Sequence, residues 1–289
     1  MSSLSRRETL KTLGAIACVL FFPLKSMGKT INKGCDVCRK AWSNLSKFAT
    51  KRYPFRYIEP VDSLPKVFIY GDSISIAYTE YVRASFEDKA CVFRIYENGS
   101  SSNEFIKKME AMRQAMFQPH LSQGWDFEWD VIHFNVGLHD LKYVVDGKLD
   151  KQNGTQVSSM ETYEKNLRSI INYLKAKYPK AKLVFATTTP VPEGERGRNA
   201  GDAKRYNTIA LRVMNDHKDI LINDLYKFSI PVLEEFAVGP GNVHFKAEGS
   251  RLQGIEVARV ISDVIGVKPI ICPTVETIKE RSSQYERKI

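Results

Sequence analysis

The chain is poor in histidine, has no long apolar run and carries no block of like charge, and each absence closes off a class of function. Its 289 residues include five histidines, none spaced as HxH or HExxH and none beside paired carboxylates. No metal and no cofactor is therefore expected. The apolar stretch over residues 13–24 is too short to cross a bilayer as a helix. Lys and Arg alternate with Glu and Asp through most of the chain, which reads as a mixed solvated surface and not as a nucleic-acid footprint. There is no internal repeat, and 17 glycines with 12 prolines give no fibrous or low-complexity bias. One CxxC, Cys35 to Cys38, stands alone. It has no second pair for zinc, no following His for haem attachment and no βαβ context for redox chemistry, so a structural bridge is expected there.

What is present begins with a leader. Ser5-Arg6-Arg7-Glu8-Thr9-Leu10-Lys11 resembles the twin-arginine export motif, with Thr9 where Phe is usual. The flanks of the apolar stretch fit a signal peptide, and Ser26-Met27-Gly28 offers small residues for cleavage. A lipoprotein signal ending at Cys18 is the alternative, but its lipobox is poor and the apolar run continues past it. The expectation is cleavage near Gly28, recognition of residues 1–28 by the twin-arginine export machinery, and a periplasmic or secreted protein with no stable membrane span. Removing those residues takes away four basic groups and one acidic group, and the net charge falls from +10 to +7. Four cysteines then remain, Cys35, Cys38, Cys91 and Cys272, an even number that favours disulfides in an exported protein.

A hydrophobic fraction of 43% is ample for one large domain with tails. Residues 29–65 read as a lead-in with an amphipathic stretch over 37–48. Residues 66–266 alternate: strands are predicted at 67–70, 92–96, 130–136, 182–187 and 220–223, and helices at 76–87, 104–117, 160–178, 203–217, near 231–236 and at 248–265. Residues 267–289 form a charged tail, a surface helix or a frayed end. Alternating strands and helices imply a three-layer α/β/α sandwich with a mostly parallel central sheet, flavodoxin-like, with 130–136 at its centre.

The stretch Val67 to Ser75 organises the rest. An apolar run ends at Gly71, and after Ser73 the spacing turns helical. Ser73 thus sits at the carboxyl end of a strand, where open α/β sheets bind ligands. The first N–H groups of the next helix lack internal partners and favour negative charge. Asp72 and Ser73 could equally do no more than cap that helix. Three further stretches fall at the same sheet edge: Glu97-Asn98-Gly99-Ser100, Gly137-Leu138-His139-Asp140, and Gly241-Asn242-Val243-His244-Phe245.

With those four blocks in order, the chain resembles the SGNH (GDSL-type) esterase and lipase family from about residue 66 to 266. The resemblance implies Ser73 as nucleophile and His244 as general base. It implies an oxyanion hole made by the N–H groups of Ser73 and Gly99 and by the side chain at position 139. The wording from Phe134 to Leu141 looks like bacterial branches of the family associated with carbohydrate esters. Two departures stand out. His139 occupies the place of the family's Asn, and a neutral imidazole can still donate one N–H. Gly241 occupies the place of the family's Asp. Either His244 works in a dyad steadied by main chain, or an acid arrives from Asp224, Asp202 or Glu248.

The remaining candidates have plainer readings. His133 is expected to be a satisfied buried residue, His120 and His217 loop and helix-end residues, and Trp42, Trp125 and Trp129 packing. Thr187-Thr188-Thr189-Pro190 either lines the pocket or ends a strand. Two functions remain in competition. The first is an exported serine esterase that removes an acyl group such as acetyl from a small-molecule or polysaccharide ester through an acyl-enzyme. The second is a non-catalytic carbohydrate-binding protein on a decayed esterase scaffold, favoured by the absent acid.

Overall fold

The apolar runs read above become the buried strands of one parallel sheet. The computed structural model describes residues 34–49, 51–268 and 272–287; the leader and its twin-arginine sequence lie outside them. The element order is α1 (Gly34–Leu45), β1 (Lys66–Tyr70), α2 (Ser73–Ser85), β2 (Cys91–Arg94), α3 (Phe105–Met116), β3 (Val131–Phe134), a small insertion of β4 (Tyr143–Val145), β5 (Lys148–Leu149) and β6 (Thr155–Gln156), then α4 (Met160–Lys177), β7 (Lys182–Ala186), α5 (Asp202–Asn215), β8 (Ile220–Asn223), α6 (Leu225–Phe236), α7 (Ala247–Ile265) and α8 (Val275–Glu286). Five strands make the main sheet in the order β2-β1-β3-β7-β8, every neighbour parallel. Val67, Phe68, Ile69 and Tyr70 in β1 and Val131, Ile132 and Phe134 in β3 are fully buried. Strands covered on both faces need no alternation. The helices pack as two groups, α2 with α7 and α6 in one, and α1, α3, α4 and α5 in sequence in the other. This is the α/β sandwich expected, with β3 in the middle.

Three details differ from the sequence reading. Helix α2 starts at Ser73, three residues before the predicted start at 76, because Asp72 caps it. Helix α6 runs from Leu225 straight through Pro231, where proline usually marks an end. The antiparallel sheet β5-β4-β6 has strands of two or three residues, too short to show a period of two.

The lead-in and the tail both pack on this core. Trp42 in α1 is buried against Trp125, with ring centres 6.0 Å apart, and its indole N–H donates to Phe55 O at 2.7 Å. Trp125 and Trp129 are likewise buried. In α8, Tyr285 donates to Ala49 O and Arg281 pairs with Glu87 at 2.9 Å. Two of the cysteines, Cys91 and Cys272, depart from the disulfides expected. Cys91 is a buried free thiol that accepts from Val61 N at 3.4 Å, and Cys272 is free and exposed. Cys38 is buried, and the side chain of Cys35 lies outside the described residues.

A buried charge cluster fastens the lead-in to the helix that begins at Ser73. Glu80 in α2 accepts from both Arg56 and Arg83. Arg83 also donates to Pro54 O and Val92 O, each at 2.9 Å. Arg94 lies fully buried beside them, its guanidinium 4.5 Å from the Phe55 ring centre, and burial pushes its pKa down to about 9. One carboxylate thus serves a buried site rich in cations. Glu80→Leu should destabilise the protein by roughly 3–5 kcal/mol, because removing one partner leaves buried charge uncompensated. Urea unfolding followed by circular dichroism measures this, and a loss under 1 kcal/mol would mean the cluster contributes little.

Candidate active site

Four loops at the carboxyl ends of β1, β2 and β3 and ahead of α7 carry the residues of interest. The first is the turn from β1 into α2. Asp72 Oδ1 accepts from Ile74 N at 2.9 Å, and Ser75 Oγ donates to Asp72 O at 2.7 Å. Asp72 therefore does cap the helix, and in doing so it leaves Ser73 as the first helical residue with its side chain at the sheet edge. The other oxygen, Asp72 Oδ2, is buried with no hydrogen-bond partner among the described residues.

The loop between α6 and α7 brings His244 to Ser73. An antiparallel bridge joins Ala237 to Phe245, Val238 N donates to His244 O at 3.0 Å, and Lys246 N donates to Phe236 O at 2.7 Å. Val243 and Phe245 are buried and anchor the loop, while His244 between them is exposed. Its Nε2 lies 2.9 Å from Ser73 Oγ.

The partner of the other ring nitrogen was missed from sequence. His244 Nδ1 lies 2.9 Å from Asn242 Oδ1, and the same oxygen accepts from the backbone N–H of His244 at 2.9 Å. A backbone N–H can only donate, so it fixes which end of the amide faces the ring. With Oδ1 as acceptor, the ring hydrogen sits on Nδ1 and Nε2 is left to accept from Ser73. This corrects the expectation of a dyad steadied by main chain: a side-chain amide does the steadying. The three carboxylates considered for the task are engaged elsewhere. Asp224 caps α6 and accepts from Thr187, Asp202 pairs with Arg205, and Glu248 with Arg251. Gly241 itself is not interchangeable with an acid. Its φ is +65°, and an added Cβ would lie 2.6 Å from Gly194 O.

The second and third loops hold one another. Asp140 is fully buried and accepts from Ser102 N at 3.0 Å, from Ser102 Oγ, and from Ser158 Oγ at 2.8 Å. Burial pushes its pKa up to about 6, against those hydrogen bonds. Gly99, expected as an oxyanion donor, instead donates its N–H to Gly71 O at 2.9 Å. An added Cβ there would sit 2.7 Å from that same oxygen. Its place in this structure is close packing of the second loop onto the turn that carries Ser73. His139 is half-buried in the third loop, with Nδ1 3.0 Å from Lys142 Nζ.

A fifth contributor is the loop over 193–201. The buried pair Arg198–Glu195 is 2.7 Å long, and Arg198 Nε donates to Leu138 O at 2.7 Å. Burial lowers the His244 pKa; Asp72 opposes this, and the positive Arg198 and Lys142 add to it. His133 is buried as expected but only half satisfied, since its Nδ1 has no hydrogen-bond partner among the described residues. Its Nε2 lies 3.2 Å from Asn223 Nδ2, and its pKa is pushed down to about 4 by burial. Thr187, Thr188 and Thr189 are buried at a strand end. No cluster of potential metal ligands occurs among the described residues.

The geometry at Asn242 sets an expectation that needs no substrate. Asn242→Asp replaces a neutral acceptor by a charged one at the same oxygen, and should raise the His244 pKa by about one pH unit or more. Gly241→Asp should instead lower stability without that rise. An NMR titration of the His244 ring decides between them; an unchanged pKa in Asn242→Asp would mean the amide does not face the ring.

Residues 69–252 match the model of the GDSL-like Lipase/Acylhydrolase family. No curated protein matches the chain. Among solved structures, the fold is similar to that of the acetyl xylan esterase AlAXEase, with 17% identity, a TM-score of 0.52, and 68% of this chain and 99% of that one covered. It is similar also to a lipase/acylhydrolase from Enterococcus faecalis, with 19% identity, a TM-score of 0.52, and coverage of 72% and 100%. A family match over most of the sheet and all four loops makes the assignment: the chain belongs to the GDSL-like lipase/acylhydrolase family, and is an ester-bond hydrolase.

Proposed function

We propose that this hydrolase is an exported serine esterase that removes an acyl group, acetyl included, from a carbohydrate. The observation that supports it best is the hydrogen-bond chain Ser73 Oγ–His244 Nε2 and His244 Nδ1–Asn242 Oδ1, both links 2.9 Å. Ser73 Oγ attacks the ester carbonyl carbon as its proton passes to His244 Nε2. The proton then goes to the departing sugar hydroxyl, leaving an acyl group on Ser73. Water, deprotonated by His244, releases the carboxylic acid and restores the serine. The oxyanion is met by the Ser73 N–H, which has no partner inside its own helix, and by the His139 side chain. The exposed position of His244 suits a bulky alcohol half, and the shared fold with an acetyl xylan esterase supports a sugar ester.

A neutral amide in place of a carboxylate has a consequence. It orients the imidazole as the Asn of Cys-His-Asn proteases does, but it offers no charge to the imidazolium. The non-catalytic reading rested on the missing acid, and Asn242 removes that motive.

Ser73→Ala should abolish p-nitrophenyl acetate hydrolysis, on the order of 10⁴-fold or more, while the fold remains. Retention of most of the rate would place the nucleophile elsewhere. Because the His244 pKa is lowered, kcat/KM should rise with pH through a midpoint below 6.5 and then level. A midpoint above 7 would contradict the stated environment of His244. Acetylated xylan should be a substrate and long-chain acyl esters poor ones; the reverse order would replace carbohydrate by lipid.

Export rests on residues 5–11 alone. Arg6→Lys with Arg7→Lys should trap the precursor in the cytoplasm, and unimpaired export would mean another route.

A further inference from the structure

An imidazole in the place of an amide brings a problem of its own. A side-chain amide always has a donor to turn toward the oxyanion, whereas a neutral imidazole carries one hydrogen on one of two nitrogens. We propose that Lys142 is the positioning residue that places that hydrogen on His139 Nε2 and so makes His139 an oxyanion donor. The inference rests on the donor role given to His139 above.

The argument is geometric. Lys142 Nζ and His139 Nδ1 are 3.0 Å apart. An ammonium has donors and no acceptor, so Nδ1 must accept, and the ring hydrogen must be on Nε2. With Nδ1 occupied by Lys142, Nε2 is the nitrogen left for the site. Lys142 is also held in place to do this. Its carbonyl accepts from Val157 N at 2.8 Å, Ser158 N donates to Asp140 O at 3.0 Å, and Asp140 and Leu141 both donate to Gly137 O. The third loop is thereby stitched to residues 157 and 158, between β6 and α4. Among the described residues the half-buried Lys142 ammonium forms no ion pair within 4.0 Å, so the imidazole is the acceptor it meets.

Electrostatics keep the pair in this state. Burial pushes the His139 pKa down to about 4; Asp72 opposes this, while Lys142, Arg198 and Lys108 add to it. His139 is then neutral wherever His244 can act as a base. Burial, with Arg198, lowers the Lys142 pKa to about 8, against Asp72 and Glu195. Lys142 is therefore charged at neutral pH.

The test uses the chain from residue 29 onward, labelled with ¹⁵N-histidine. In wild type at pH 7, His139 should show the Nε2–H tautomer; in Lys142→Met that tautomer should be lost or mixed. An unchanged tautomer in Lys142→Met overturns the proposal. With p-nitrophenyl acetate, Lys142→Met should lower kcat about tenfold, short of the roughly 10²-fold expected for losing a whole donor, with KM nearly unchanged. Lys142→Arg, which keeps a donor, should recover part of the loss. In a His139→Asn background, Lys142→Met should have no further effect, because an amide needs no lock. A loss that persists there, or that falls on KM, means Lys142 touches substrate and overturns the proposal. Absence of ester hydrolysis in wild type would be a failure of the esterase reading; the tautomer measurement then decides the lock alone.

Discussion

The site depends on one constraint: a neutral imidazole has a single N–H, and the atom that accepts it decides what the other nitrogen can do. At His244 the acceptor is Asn242 Oδ1, and the orientation of that amide is settled by the backbone N–H of His244 itself. Rotating the amide by half a turn would set its NH₂ against the backbone N–H, and the ring could meet it only by moving its hydrogen to Nε2, the tautomer that cannot accept from Ser73. The loop around Gly241 makes the arrangement reachable. Its positive φ and its close contact with Gly194 bend the chain so that Asn242, two residues before His244, meets the ring edge.

His139 presents the inverse problem. In the mechanism proposed above, His244 has to be bare at Nε2, and His139 has to be protonated there. The first is met by an acceptor oxygen on Nδ1, the second by a donor ammonium on Nδ1. Both settings come from a residue two or three positions away in the same loop, so each loop carries its own device. Asp140 and the Glu195–Arg198 pair then hold the loops in register, Asp140 joining the second loop to the third and Arg198 joining the loop over 193–201 to Leu138. The sheet beneath is built from fully buried strands and gives these turns a common edge.

Much of this was legible in the chain itself. Apolar runs separated by helical spacing sufficed for the five-stranded sheet and for the convergence of Ser73 and His244 on one edge. What was not legible depends on distance at a finer scale. Asn242 carries no signal in the sequence: the resemblance points to the position three before the histidine, and a turn that lets the position two before it reach the ring has no periodicity. Gly99 had the right residue type for a donor, but only the close contact with Gly71 O shows that its hydrogen is already used. Lys142 and Arg198 read as solvated charge until the fold half-buries the one and buries the other. The strands β4 to β6 are too short for alternation to be seen.

The most direct measurement of the central claim is the covalent fate of Ser73. The chain from residue 29 onward would be treated with p-nitrophenyl diethyl phosphate, digested, and mapped by peptide mass. A serine activated by His244 and Asn242 should carry one diethylphosphoryl group on Ser73, with none on the same peptide when His244 is replaced by Ala. An adduct on a different residue, or labelling of Ser73 that persists without His244, would contradict the account.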